Sequence, residues 1–144
     1  MNKRRILLVE DNSDDEELIV RCLRKAGSGS LITVARDGAE ALDYLFGAGT
    51  TTGERPDLII LDINLPKVNG FEVLEKIRGN ARTAHISVVI LSSSDMQRDI
   101  SQAYALGASS YVRKPVEFRA FTDAVAALGH YWLELNLPRR EGSG

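Results

Sequence analysis

Three acids, a serine and a lysine stand at the ends of four short aliphatic runs. Glu10 closes "RILLVE" (5–10) with Asp11 next to it, and Asp62 closes "DLIILD" (57–62), followed by Ile63 and Asn64. Ser92 follows "SVVIL" (87–91) and Lys114 closes "SYVRK" (110–114). Adjacent carboxylates repel each other unless a cation lies between them or one takes up a proton. All-oxygen ligands select a hard cation, and a few carboxylates with a carbonyl and several waters suit octahedral Mg²⁺. A carboxylate beside such an ion can act as a nucleophile toward phosphorus and form an aspartyl phosphate. The charge on the phosphoryl oxygens would be met by the metal, the Lys114 ammonium and the Ser92 hydroxyl.

Each residue also has a plainer use. Glu10 and Asp11 could stabilise the start of a helix, an effect of ~0.3–1 kcal/mol, although Asn12, Ser13 and Asp14 already offer cap side chains there. Asp14 and Asp15 read as part of that helix start, separate from the acid pair. Asp62 could cap the next turn, Lys114 could be a solvated surface lysine, and Tyr111 a rim aromatic. Ser93 or Ser94 could take the place of Ser92 if the strand ends later, and Asn64 could be a turn former before "LPKVNG". Cys22 lies on an apolar helical stripe and reads as a small core residue. His85 and His130 have no second ligand near them in sequence and read as structural or exposed.

The elements that must position these groups alternate. The runs above and "LITVA" (31–35) are continuously apolar, which suits strands covered on both faces, as in a parallel sheet. Between them lie helical stripes: Leu18, Ile19, Cys22, Leu23 and Ala26; then, from about Asp37, Ala41, Leu42, Leu45 and Phe46. Phe71, Leu74 and Ile77 form the third, Ile100, Ala103 and Leu106 the fourth, and Phe118, Phe121, Val125, Leu128, Trp132 and Leu135 the last. Five βα units with right-handed crossovers imply an α/β fold, a central parallel sheet with helices on both faces. In such a sheet the ligand site lies beyond the carboxyl ends of the strands, where the acids, Ser92 and Lys114 fall.

A chain of 144 residues suits one domain, here residues 1–137, with 138–144 as a flexible tail. "GAGTTTGERP" (47–56) is a Gly/Thr-rich loop longer than the usual connection of about two to six residues. Eighteen basic and twenty acidic residues leave a net charge of −2, which gives no general footprint for nucleic acid or membrane. No apolar run reaches the ~20 residues of a membrane span, and "MNKRR" leads straight into a strand with no signal-peptide core. A single cysteine agrees with a reducing cytoplasm.

The acid pair in "VED", "LDINLPKVNG" around Asp62, "VVILSSS" and "GASSYVRKP" occur in order on the expected elements. On these motifs residues 4–130 resemble a response-regulator receiver domain of two-component signalling. The resemblance implies a flavodoxin-like strand order of 2-1-3-4-5. It implies Asp62 as phosphoacceptor, and Glu10, Asp11, Asp62 and the backbone carbonyl of Asn64 as the Mg²⁺ site. It implies that Lys114 pairs with the phosphoryl group, placed by a cis Lys114–Pro115 peptide. Ser92 would be the hydroxyl switch and Tyr111 the aromatic switch, with Tyr111 following Ser92 inward on phosphorylation. Many relatives carry Thr at Ser92 and Pro at Ser87, and neither departure touches the chemistry.

The loop before Asp62 and the ending "HYWLELNLP" further resemble small single-domain regulators that partner phytochrome-type histidine kinases. This implies a sensor kinase as partner, a downstream phosphotransfer protein, and a homodimer through the last helix, fifth strand or C-terminal tail. On that reading the protein is no metabolic enzyme beyond Mg²⁺-dependent self-phosphorylation and slow autodephosphorylation. A haloacid-dehalogenase-type phosphatase would want its nucleophile on the first strand and an Asp two residues later, where Asn64 stands after Asp62. A flavodoxin-like FMN carrier would want a Ser/Thr-rich phosphate loop where "EDNSDDEE" repels phosphate.

Overall fold

Five parallel strands form one sheet in the order β2-β1-β3-β4-β5 in a computed structural model that describes residues 4–27, 29–47 and 55–139. The strands are β1 (Arg5–Val9), β2 (Leu31–Ala35), β3 (Leu58–Leu61), β4 (Ser87–Ser92) and β5 (Ser110–Arg113). The helices between and after them are α1 (Ser13–Ala26), α2 (Gly38–Phe46), α3 (Gly70–Arg78), α4 (Gln97–Ala105) and α5 (Phe118–His130). The fold class is as the sequence pattern implies, and the strand order is as the family resemblance implies. Of the long loop before β3, residues 48–54 lie outside the described residues, as do 140–144 of the expected tail.

The continuous apolar runs exist because each strand feeds two cores. Successive side chains of a strand point to opposite faces. Ile6 and Leu8 therefore pack with Ile19, Leu23, Phe121 and Val125 of α1 and α5. Leu7 and Val9 pack with Ala41, Val73, Leu74 and Ala103 of α2, α3 and α4. Cys22 is buried in the α1 core as read from its stripe, and burial pushes its thiol pKa up.

Caps fix where the helices begin. Asn12, Asp37 and Asn69 each accept a backbone N–H three residues on, from Asp15, Glu40 and Glu72. Such caps satisfy donors that helix geometry leaves without partners. The helix α4 has no side-chain cap and only Ala103 fully buried, so it is the helix least fastened to the sheet.

The last helix departs from the expected single stripe. Regular α5 stops at His130 and a π-turn runs over Tyr131–Leu135, closed by the Asn136 N–H donating to the Tyr131 carbonyl at 2.6 Å. The wider turn rotates the register. Leu133, absent from the stripe, is buried in the α1/α5 core, while Leu135 and Phe118, both in it, are exposed. Trp132 is partly buried. Arg4 fastens this segment under the sheet by donating to the carbonyls of Trp132 and Asn136, both at 3.1 Å.

The β3–α3 connection is held by close backbone contact at Gly70. Its N–H donates to the Ile63 carbonyl at 3.1 Å, and a Cβ there would strike the Asp62 carbonyl oxygen and Ile63 Cα. Since those neighbours are backbone, Gly70→Ala is expected to cost about 1–3 kcal/mol of stability through overpacking. Urea unfolding measures it, and an unchanged midpoint would show that the loop yields freely.

Candidate functional site

The strands deliver their polar groups just past the last paired residue. Glu10 continues β1, with its N–H donating to the Ala35 carbonyl at 3.0 Å, and the Asp62 N–H donates to the Val9 carbonyl at 3.1 Å. The Lys114 N–H donates to the Ser92 carbonyl at 2.7 Å, which carries β5 alignment one residue further. Backbone pairing therefore fixes the roots of Glu10, Asp62 and Lys114, and all three are buried.

At the centre lies the Lys114 ammonium. It donates to Glu10 Oε1 at 2.6 Å, to Asp15 Oδ2 at 3.1 Å and to Asp62 Oδ2 at 3.2 Å. A lysine ammonium has three N–H donors, and each has a carboxylate. The second oxygens are held too: Glu10 Oε2 accepts from the Asn12 N–H at 3.2 Å and Asp62 Oδ1 from the Asn64 N–H at 3.0 Å. Asp11 turns outward and is exposed, yet Glu10, Asp11 and Asp62 each place a carboxylate oxygen within 4.8 Å of the other two. Three hard oxygen donors that close, one of them open to solvent, fit a divalent cation.

Three carboxylates around one ammonium have a clear electrostatic consequence. Burial raises the Glu10 pKa from the ordinary 4.5 to about 7, with the Asp62 charge adding to the rise and Lys114 opposing it. For Lys114, burial favours the neutral amine, but the bond to Glu10 and the charges of Asp62 and Glu10 outweigh it and raise its pKa. The two directions agree: the lysine stays charged, and the most buried carboxylate is the one that takes a proton.

The structure brings together Glu10, Asp11, Asp62 and Lys114 as the sequence suggested. It corrects the reading of Asp15 as a helix-start residue separate from the site, since Asp15 touches Lys114 directly. The Asn12 cap signals this: a residue three positions after an N-cap points its side chain back toward the cap. The cap's own N–H is already taken by Glu10, which leaves the Asp15 carboxylate for Lys114. The expected cis Lys114–Pro115 bond is also corrected: no cis peptide occurs among the described residues, and the ammonium reaches the acids from a trans bond. Asn64 is exposed, and its N–H serves Asp62.

Ser92 is fully buried at the end of β4, ahead of exposed Ser93. Its Oγ accepts from the Ser94 N–H at 3.2 Å. The Tyr111 hydroxyl donates to the Ser94 carbonyl at 2.9 Å, so Ser94, weighed before only as a substitute for Ser92, bonds to both residues. Ser94 Oγ in turn donates to Asp99 Oδ2 of α4 at 2.6 Å. The Tyr111 N–H on the outer edge of β5 donates to the Tyr104 hydroxyl at 3.1 Å. His130 is exposed beside Glu134, at 3.1 Å, and His85 is half-buried in its loop.

The sequence profile of the response regulator receiver domain matches residues 6–126. The probable methanogenesis regulatory protein FilR2 of Methanothrix harundinacea is 40% identical over 134 residues, covering 91% of this chain and 84% of that protein. Response regulator Rcp1 of Synechocystis is 35% identical over 130 residues, covering 90% of this chain and 88% of its own. The Mn²⁺-bound form of Rcp1 superposes with a TM-score of 0.88 at 32% identity, over 94% of this chain and 99% of that one. The phosphorylated cyanobacterial phytochrome response regulator RcpA gives 0.88 at 35% identity, over 95% and 99%.

The raised Glu10 pKa gives a pH dependence with a definite sign. Between pH 4.5 and about 7 the folded state binds a proton on Glu10 that the unfolded chain has lost. Stability of the metal-free protein attributable to this group therefore falls as pH rises through that window. Thermal unfolding in a chelator should show the fall in the wild type, and Glu10→Gln should flatten it. Equal slopes in the two proteins would assign the proton elsewhere.

Proposed function

The chain belongs to the response regulator receiver domain family, and on that premise we propose that it accepts a phosphoryl group on Asp62 from a phosphohistidine of a sensor histidine kinase. The observation that carries this reading is the Lys114 ammonium held between Glu10 and Asp62, with Asp11 beside them at the sheet edge. An oxygen of the Asp62 carboxylate attacks phosphorus, the new O–P bond forms, the N–P bond breaks, and the imidazole leaves. Lys114 stands 3.2 Å from an oxygen of that carboxylate, within reach of a phosphoryl group built on it. Mg²⁺, held by Asp11, Asp62 and the Asn64 carbonyl with Glu10 behind them, would neutralise charge on the transferring group. Asn64 holds Asp62 Oδ1 through its N–H and so fixes the plane of the attacking carboxylate.

Ser92 and Tyr111 are the proposed switch. A phosphoryl group on Asp62 offers new acceptors to the Ser92 hydroxyl. Turning Ser92 toward it alters the bond to Ser94, and with it the partner of the Tyr111 hydroxyl. The response would reach α4 through Ser94 and Asp99. Slow loss of the phosphoryl group to water resets the module, which is signalling chemistry rather than metabolic turnover. The haloacid-dehalogenase reading has no support: Asp62 follows β3 rather than the first strand, and position 64 is Asn.

For the sensor, RcpA is described as a phytochrome response regulator, and its likeness over nearly the whole chain favours a phytochrome-type kinase in the cytoplasm. A phosphotransfer protein downstream and a homodimer are further parts of the reading. Exposed Tyr131, Leu135 and Leu137 support the dimer.

Acetyl phosphate with Mg²⁺ should add one phosphoryl group to the wild type and none to Asp62→Asn, as read by intact mass. The same mass in both proteins would remove Asp62 as acceptor. Even outer-shell changes at metal sites commonly cost 10–100-fold in affinity, so loss of a direct ligand in Asp11→Ala should weaken Mg²⁺ binding by about tenfold or more. Titration calorimetry measures this, and wild-type affinity would take Asp11 out of the ligand set.

A further inference from the structure

Lys114 has more carboxylates than phosphoryl recognition requires. A phosphoryl group on Asp62 brings additional anionic oxygens to an ammonium whose three N–H groups are already engaged, so one partner must yield. The three partners differ in what release would cost. The Glu10 side chain is 2% exposed and that of Asp62 8%, whereas that of Asp15 is 28% exposed. Releasing Glu10 would strand a buried carboxylate, which is expensive, and Asp62 carries the phosphoryl group itself. Asp15 can pass its oxygen to water. Its main chain stays fixed meanwhile, because the Asp15 N–H donates to the Asn12 cap at 2.9 Å.

We propose that Asp15 is a positioning residue for phosphoryl transfer: it holds the Lys114 ammonium before reaction and is the partner that Lys114 exchanges for the phosphoryl oxygens. The inference rests on Asp62 being the acceptor. Asp15 competes with the phosphoryl group for one N–H donor, so it weakens the phosphorylated state and keeps Lys114 in place while the site is empty of phosphate. Asp14 supplies an internal control. It lies one residue earlier in the same helical turn and carries the same charge, but it is exposed and has no bond to Lys114.

The test uses the whole protein with Mg²⁺ and beryllofluoride, a tetrahedral anion that coordinates a carboxylate oxygen as a phosphoryl group would. Asp15→Asn keeps the shape and loses the charge. A partly exposed ion pair corresponds to a change of roughly 1.5-fold to fivefold in binding, so Asp15→Asn should bind beryllofluoride tighter by a factor in that range. Asp14→Asn should stay within about half of that change on a logarithmic scale, because it alters only the general field. Asp15→Glu, which restores a carboxylate with longer reach, should return toward wild-type affinity.

Equal tightening in Asp14→Asn and Asp15→Asn would overturn the proposal, since the effect would then be bulk charge. Unchanged affinity in Asp15→Asn would overturn it as well. If the wild type itself binds no beryllofluoride with Mg²⁺ present, the phosphoacceptor reading fails, and this inference with it. Binding in the wild type with matched Asp14 and Asp15 variants removes the inference alone.

Discussion

One ammonium held by three carboxylates organises this molecule. Charges removed from water are costly unless geometry and additional hydrogen bonds compensate. Here the compensation is backbone-built: β1, β3 and β5 each end within one residue of a member of the cluster, and strand pairing fixes their roots. The sheet supplies this convergence because parallel strands all present their carboxyl ends on one edge. The excess of negative charge that remains makes the edge receptive to a divalent cation, while burial, with a smaller addition from the Asp62 charge, raises the Glu10 pKa to about 7.

Rigidity is not shared evenly around that edge. Beneath the acids, β1 and β3 are sandwiched between two cores and the β3–α3 loop is pinned at Gly70. On the other side of β4 the structure is looser. There α4 buries one residue fully and has no side-chain cap, and its links to the site run through Ser94, Asp99, Tyr104 and Tyr111. Elements with few buried apolar contacts open at low free-energy cost. The molecule thus places a stiff cluster of charged groups beside a compliant helix, with Ser92 at the border.

Much of this was legible in the sequence because it depends on short-range pattern. Continuous aliphatic runs gave the two-faced strands, acid–aliphatic junctions gave Glu10, Asp11 and Asp62, and Asn or Asp before a stripe gave the helix starts. What escaped depends on where one turn of chain points in three dimensions. The role of Asp15 needed the Asn12 cap to set the phase of α1 and Glu10 to occupy the cap's N–H. Leu133 escaped because one π-turn after His130 moves the apolar face, and 3.6-residue spacing cannot foresee it. Ser94 bonds to both Ser92 and Tyr111 through its main chain, and sequence identity carries no trace of that. The trans Lys114–Pro115 bond differs from what the family resemblance implied.

The Arg4 guanidinium joins the two ends of the described chain at the pole opposite the acids. It ties the root of β1 to Trp132 and Asn136, while Leu133 is seated in the same core as Ile6. A five-residue strand is roughly 17 Å long, so this knot stands about one sheet-height from the Lys114 cluster. Asn136 is thus tied to the start of the strand whose far end carries Glu10, so the two ends of β1 face different tasks: one is spent on holding the last turn of the chain, the other on the charged cluster.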